Sequence, residues 1–203
     1  MSDVLTVAGI ADAVRRMHAG AASIRDELNA ADRLLGDGDT GMTIAAVVSA
    51  WHDALATVPA DVATLLRELA RETRRASGSS LGSVLAIGLV AAAKQAAMHT
   101  SADREAVVAM LDAAVAAIAE RSGAAPGDKT VLDALLAVRD ALARASDEHA
   151  LLDVAIQALT EALAAFRSRE ARIGRARMYG AKSIGHDDPG MLAALLLLRG
   201  AAS

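Results

Sequence analysis

Three aspartates lie close together in the first part of the chain, where their spacing could bind a metal ion. Asp32 precedes the run Gly-Asp-Gly-Asp-Thr-Gly, which carries Asp37 and Asp39 between glycines that let the backbone fold tightly beneath the carboxylates. Carboxylates gathered without a cation repel one another, whereas Mg²⁺ bound to nucleotide phosphates prefers such oxygen ligands. The alternative is that Asp37 and Asp39 are ordinary turn residues and Asp32 is a solvated helix charge. An EF-hand fits less well because its third acidic position and terminal Glu are missing.

Two further segments have hydroxyl groups at places where helices are expected to begin. Gly78-Ser79-Ser80 precedes a strongly apolar helix, so its amides and hydroxyls could bind phosphate. The simpler interpretation is a serine helix cap. Likewise, Asp128-Lys129-Thr130 most simply caps the helix that follows it. Each segment alone is a weak functional signal.

The long segment from Gly174 to Gly190 is the richest in chemically active side chains. It combines Arg175, Arg177 and Lys182 with a tyrosine, a histidine and four glycines. An ordered loop of this length usually covers a site, where its cations could screen phosphate charge. A flexible basic linker is the alternative.

Apolar residues recur at alternating steps of three and four, which predicts an all-α fold. The clearest example is the stripe that runs from Val7 to Leu28. No segment shows a convincing period of two, so we expect no sheet. We predict a single domain over residues 1–203, an antiparallel barrel or bundle of about eight helices at approximately 4–31, 41–56, 61–75, 80–98, 102–120, 128–145, 148–170 and 189–200.

The connections between these helices are of two kinds. The second, fourth and sixth, at 57–60, 99–101 and 146–147, are short and plain, whereas the first, third, fifth and seventh contain most of the glycine. If consecutive helices run up and down, all odd-numbered connections lie at the same end. We therefore expect a binding site at that end of the bundle.

Composition narrows the classes of function. Hydrophobic residues make up 54% of the chain and aromatic residues 1%, so Ala, Leu and Val must fill the interior. A net charge of −4 disfavours nucleic-acid binding. The absence of cysteine excludes disulfides. The sequence also shows no signal-peptide pattern, and its apolar stretches are shorter than the roughly 20 residues of a membrane span. We therefore expect a cytoplasmic protein without a membrane partner.

Three segments together resemble the DhaL family, the nucleotide-binding subunits or domains of dihydroxyacetone kinases. They are L-N-A-A-D-R-L-L-G-D-G-D-T-G at 28–41, G-D-K-T at 127–130 and G-R-A-R-M-Y-G-A-K-S-I-G-H-D-D-P-G at 174–190. The resemblance spans nearly the whole chain. It implies a barrel of eight antiparallel helices with the nucleotide at one end.

The resemblance also implies roles for particular residues. Asp32, Asp37 and Asp39 would ligate two magnesium ions that bridge the phosphates of ADP or ATP. Transfer would be metal-assisted and would need no catalytic side chain. The nucleotide-binding residues would be Thr40, Gly41, Met42, Thr43, Ser79, Ser80, Ser122, Thr130, Val131, Arg175, Asp188, Pro189 and Gly190. Dihydroxyacetone, or a related triose or tetrose, would be held by a partner DhaK-type subunit.

Several functional alternatives remain open from the sequence. The nucleotide could be exchanging ATP, or a resident ADP recharged by a DhaM-type phosphotransfer protein. Thr40 stands where the DhaL family often has His and resembles the D-G-D-T-G of fatty acid kinases, so a domain of that kind is an alternative. A non-catalytic module that senses nucleotide is another.

Overall fold

The computed structural model describes residues 4–96, 101–146 and 149–203, and most of them are helical. The α-helices are α1 Val7–Ala19, α2 Ala21–Leu35, α3 Thr40–Ala54, α4 Val62–Ala76, α5 Ser80–Gln95, α6 Arg104–Ser122, α7 Val131–Arg144, α8 Leu151–Phe166 and α9 Pro189–Ala202. A 3₁₀ helix spans Arg175–Ser183. The all-α prediction is confirmed.

The helices close into a ring. From α2 onward each helix packs against the next one in the chain, and α9 returns to pack against α2. Helix α1 lies along α9 and α3. Helix α9 is almost entirely apolar, which allows it to contact α1, α2, α7 and α8 at once. The predicted antiparallel barrel of helices therefore corresponds to the observed architecture.

The prediction of one long helix over 4–31 is wrong in detail, because the chain breaks at Gly20. This residue has φ −90° and ψ 1°, outside the helical range, while its N–H still donates to the carbonyl of Arg16. Glycine is about 1 kcal/mol less favourable than alanine inside a helix, so a break costs least here. Within the described residues the result is two helices, α1 and α2, in place of one.

The other predicted helices are found with ends shifted by a few residues. Helix α8 differs most: it ends at Phe166, although 148–170 was predicted. Residues 97–98 of the fourth prediction, 148 of the seventh, and parts of the connections at 99–101 and 146–147 lie outside the described residues.

The expectation of no sheet also needs a small correction. Two strands of two residues each, β1 Leu5–Thr6 and β2 Ser101–Ala102, pair antiparallel. Strands this short cannot show a period of two, so sequence patterning could not detect them. They join the start of the chain to the residues just before α6.

Small and branched aliphatic side chains fill the largest core cluster, as the composition requires. It consists mainly of Ala, Val, Leu and Ile from α1, α2, α3, α4, α7, α8 and α9. Trp51 is the one tryptophan, and its indole N–H donates to the Leu69 carbonyl and the Thr73 hydroxyl, both at 2.9 Å. Among the described residues, no helix is both long and apolar enough to cross a membrane.

Candidate functional site

Helix α2 supplies the side chains that cap the beginning of α3. Asp32 Oδ2 accepts the backbone N–H groups of Asp39 at 2.9 Å and Thr40 at 3.0 Å. One turn earlier, Asn29 Oδ1 accepts N–H groups from Gly41 at 2.8 Å and Met42 at 3.3 Å. Because Asp39 makes no capping bond with its own side chain, these two buried side chains satisfy donors that the first turn of α3 would otherwise leave free.

Two glycines allow this close approach. A Cβ at Gly41 would lie 2.0 Å from the carbonyl oxygen of Arg25, so the first turn of α3 packs directly on the backbone of α2. A Cβ at Gly36 would lie 2.1 Å from Asp32 Oδ1. Any side chain at position 36 would therefore collide with the Oδ1 atom of Asp32.

The three predicted aspartates form a cluster. Asp32, Asp37 and Asp39 each place one carboxylate oxygen within 4.8 Å of the others. Asp32 is buried, whereas Asp37 and Asp39 are exposed. Since Oδ2 of Asp32 is used by α3, its Oδ1 remains for a ligand. Hard carboxylate oxygens from a rigid helix end and a glycine loop suit Mg²⁺, so these residues fit the ion that the family resemblance implies.

Arg175 supplies positive charge to the same cluster. Its guanidinium contacts the carboxylate of Asp37, and its Nη1 lies 3.9 Å from Asp39 Oδ1. Desolvation tends to raise the pKa of Asp37, but hydrogen bonds from its own backbone and to Asp39, with the charge of Arg175, hold it below its ordinary value. Desolvation and the neighbouring Asp37 raise the pKa of Asp39. The two carboxylates therefore lie close enough for the ionisation of each to affect the other.

A cleft of about 490 Å³ opens beside the aspartates at one end of the barrel. All four glycine-containing connections contribute to its wall, as the up-and-down arrangement predicted. Its lining includes four apolar residues of one hydrophobic cluster, Val84, Ile87, Ile118 and Ile173, together with hydroxyl groups and charged side chains. A volume and composition of this kind suit a ligand with a flat apolar part and a polar part.

Ser79 and Thr130 are helix caps that also line the cleft. Ser79 Oγ accepts the N–H of Gly82 at 3.0 Å at the start of α5. Thr130 caps α7 and forms a capping box with Asp133. Asp128, which we expected to take part in that cap, instead accepts the N–H of Ala125 at 2.7 Å and shapes the loop. The capping and binding interpretations are compatible, because the N-termini of α5 and α7 both face the cleft.

Residues 167–187, which we call the closing segment, reach from the end of α8 across the aspartate loop. Besides the contacts of Arg175, the Tyr179 hydroxyl donates to the carbonyl of Gly36 at 3.3 Å. Asp188 then caps α9 by accepting the N–H of Met191 at 2.8 Å. Desolvation raises the pKa of Asp188 to about 6, although the N–H groups of Met191 and Gly190 and the charge of Lys129 act in the opposite direction.

Most of the residues nominated from the sequence lie in or beside the cleft. Those in its wall are Asp32, Asp39, Thr40, Thr43, Ser79, Ser80, Ser122, Thr130, Val131, Arg175, Asp188, Pro189 and Gly190. Asp37, Gly41 and Met42 do not line it: Asp37 joins the carboxylate cluster, Gly41 packs on α2, and Met42 is 56% exposed.

Sequence reasoning missed other residues of the site. Arg121 lines the cleft from the last turn of α6, where an arginine is expected merely to complement the helix dipole. The apolar residues that line the cleft could not be distinguished from core residues by sequence, because they follow the same helical spacing. Lys129, which sequence reasoning assigned to a helix cap, is fully buried, and no spacing rule would have indicated this.

Comparison with known proteins supports the family resemblance. The family model described as "DAK2 domain" matches residues 34–203. The L-erythrulose 1-kinase of Mycolicibacterium smegmatis is 34% identical over 85% of this chain, and the human triokinase/FMN cyclase is 34% identical over 87%. The ADP-binding subunit DhaL of the PEP-dependent dihydroxyacetone kinase of Escherichia coli is 27% identical, and the match covers 85% of this chain and 84% of that subunit.

A solved structure has the same fold. The dihydroxyacetone kinase from C. freundii in complex with AMP-PNP and Mg²⁺ superposes with a TM-score of 0.73 at 26% identity, over 95% of this chain and 33% of that one. This chain spans 31% of the length of the erythrulose kinase and triokinase relatives. It therefore corresponds in length to one part of those proteins and to nearly the whole of the DhaL subunit.

Proposed function

We propose, starting from the fact that this chain belongs to the DAK2 domain family, that it is the phosphoryl-donor component of a kinase for dihydroxyacetone or a related triose or tetrose. The observation that carries the proposal is the carboxylate cluster of Asp32, Asp37 and Asp39 beside a cleft whose lining combines apolar side chains with hydroxyl groups. Such a site would accept a nucleotide whose phosphates are bridged by metal.

Each group of residues at the cleft has a distinct role in this proposal. The aspartates would hold two magnesium ions, which supply charge neutralisation to the transferred phosphoryl group when bound. The N-termini of α5 and α7 line the cleft with Ser79, Ser80 and Thr130, whose amides and hydroxyls would bind the phosphates. The apolar lining of Val84, Ile87 and Ile173 suits the base. Arg175 would move from Asp37 to the phosphates once magnesium neutralises the aspartates.

The acceptor sugar would be held by a separate DhaK-type subunit or domain. The C. freundii kinase is about three times as long as the part that matches this chain, and the E. coli relative is named as one subunit of its enzyme. Exposed apolar side chains also surround the site end, including Leu34 on α2, Met42 on α3 and Met178 in the closing segment. A partner that delivers an acceptor to the phosphates would cover this surface.

In this proposal the phosphoryl group leaves from bound ATP, which leaves ADP, and ATP is restored in one of two ways. In one mode ATP exchanges freely, and in the other a DhaM-type phosphotransfer protein recharges a resident ADP. Gel filtration followed by nucleotide analysis distinguishes them, because a resident ADP stays with the protein. A fatty-acid-kinase-like domain is disfavoured, since the relatives found act on short sugars by name. A non-catalytic nucleotide sensor would bind Mg–ADP without supporting turnover.

Titration calorimetry of the purified chain with ADP tests the proposal. We expect binding in the presence of Mg²⁺ and its loss when EDTA is added, because the aspartates repel the phosphates without a cation. Equal affinity with and without divalent metal would contradict the metal-bridged site.

A further inference from the structure

Lys129 is an unusual residue for which neither the fold nor the cleft accounts. It is only 1% exposed, although lysine is rarely buried without a partner. Its backbone φ of 63° lies in the left-handed region, which residues other than glycine seldom adopt. Both features are unfavourable by themselves, so the surrounding contacts must compensate for them.

Those contacts lead to the two ends of the closing segment. The Nζ of Lys129 donates to the carbonyl oxygen of Arg169 at 2.9 Å and to that of Ser183 at 2.8 Å. Burial lowers the pKa of Lys129, while the charges of Asp188 and Asp187 act against that shift. A single ammonium group thus connects the first and last parts of the closing segment to the loop before α7.

Other hydrogen bonds join the same first and last parts of the closing segment. The N–H of Gly185 donates to the carbonyl of Arg167 at 2.7 Å, and the Arg167 guanidinium holds Asp187 at 2.6 and 2.7 Å. The hydroxyl of Ser183 accepts the N–H of Ala171 at 2.9 Å. We call this set of contacts the neck. Beyond the neck the segment projects Arg175 and Ile173 to the cleft.

We propose that Lys129 is a positioning residue for the nucleotide site: it fixes the neck so that the closing segment holds Arg175 and Ile173 at the cleft. Lys129 itself does not line the cleft, so its effect on a ligand must pass through this segment. The inference rests on the proposed function only for the identity of that ligand. The geometry of the neck stands without it.

Lys129→Met, with Lys94→Met as its matched control, tests the proposal. The change keeps an unbranched apolar stem and removes the ammonium, and Lys94 is an exposed lysine near the end of α5, away from the cleft. Amide exchange of the ligand-free full chain and calorimetry with Mg–ADP are measured well below the melting temperature. Because the variant loses both hydrogen bonds of a charged group, we expect amides of residues 170–183 to exchange about tenfold faster or more, and the Kd for Mg–ADP to rise about tenfold.

The pattern of exchange separates positioning from general stability. Local loss of protection in the closing segment, with native protection in α4–α6, supports the proposal. A native closing segment with an unchanged Kd overturns it, and so does a uniform loss of protection over all helices. If Lys129→Met does not fold, Ser183→Ala removes the neighbouring bond of the neck and must give the same local pattern; a native closing segment in that variant overturns the proposal.

The two proposals fail in different ways. If the unmodified chain does not bind Mg–ADP, the proposed function is wrong, while exchange in the ligand-free chain still decides the role of Lys129. If the unmodified chain binds Mg–ADP and Lys129→Met binds it equally well, the function stands and the positioning role is wrong.

Discussion

The guanidinium of Arg175 contacts the carboxylate of Asp37, so the closing segment and the aspartate loop are joined by an ion pair. The two residues are far apart in the chain, and one is a candidate phosphate ligand while the other is a candidate metal ligand. The guanidinium therefore neutralises part of the charge of a carboxylate that would hold a metal ion. Metal binding and release of the closing segment should be coupled through this pair.

Arg175→Met tests that coupling. In this variant, Mg²⁺ alone should bind more tightly, because it no longer competes with the guanidinium for Asp37. Mg–ADP should bind more weakly, because a phosphate partner is lost. Calorimetry with each ligand gives both changes, and Arg177→Met, at an exposed arginine of the same segment that does not line the cleft, is the control. If the affinities for Mg²⁺ and for Mg–ADP shifted in the same direction, the proposed coupling would be contradicted.

Asp37→Asn distinguishes a metal ligand from a turn residue. Asparagine keeps the size of the side chain and favours the same turn conformations, so a turn would tolerate it. If Asp37 binds magnesium, the melting-temperature increase produced by Mg–ADP should largely disappear, while the ligand-free protein stays folded. The measurement is the Mg–ADP-induced melting shift, mutant against wild type. A full shift in the mutant would remove Asp37 from the metal site.

Asp188 should make the free energy of unfolding depend on pH. Its pKa is about 6 in the folded protein, above the ordinary 3.8, so the folded state keeps a proton that the unfolded state releases. The stabilisation is thus complete below about pH 4 and is lost as the pH rises to about 6, by an amount on the order of 2 kcal/mol.

Asp188→Asn should remove this contribution while retaining the helix cap, because Asn is an equally good capping residue. Denaturant unfolding between pH 4 and 7 should therefore show the mutant gaining stability relative to the wild type as the pH rises. Asp153→Asn, at an exposed acid on α8, should show no such trend. A constant difference for Asp188→Asn would mean that its carboxyl titrates as it does in the unfolded chain.

The chain alone should not phosphorylate dihydroxyacetone. The cleft residues are those proposed above for the nucleotide, and the acceptor sugar is proposed to lie on a separate subunit. We expect turnover in a coupled assay only after a DhaK-type subunit is added, and none when that added subunit is tested by itself. Robust activity of the isolated chain would contradict the proposed division of labour.

Sequence patterning was sufficient for most of the α-helices, although not for the break at Gly20, and for the end of the barrel where the site lies. Apolar residues at steps of three and four define helix faces locally, and short connections force neighbouring helices to run antiparallel. This placed the aspartate loop, Ser79 and the loop before Thr130 at one end, where Asp39, Ser79 and Thr130 line one cleft, whereas Ser122 was indicated only by the family resemblance. The glycine–aspartate motif around Asp37 and Asp39 likewise indicated the carboxylate cluster.

The tertiary structure alone decided how those residues are held. Asp32 and Asn29 cap α3 across a helix–helix contact, and Lys129 binds carbonyl groups of a segment that lies much later in the chain. Such bonds depend on the distance between backbones that are remote in sequence, which local spacing does not encode. The same reason explains the burial of Lys129 and the pairing of Arg175 with Asp37. Residue type and period determine which faces are apolar, but packing determines which polar atoms meet.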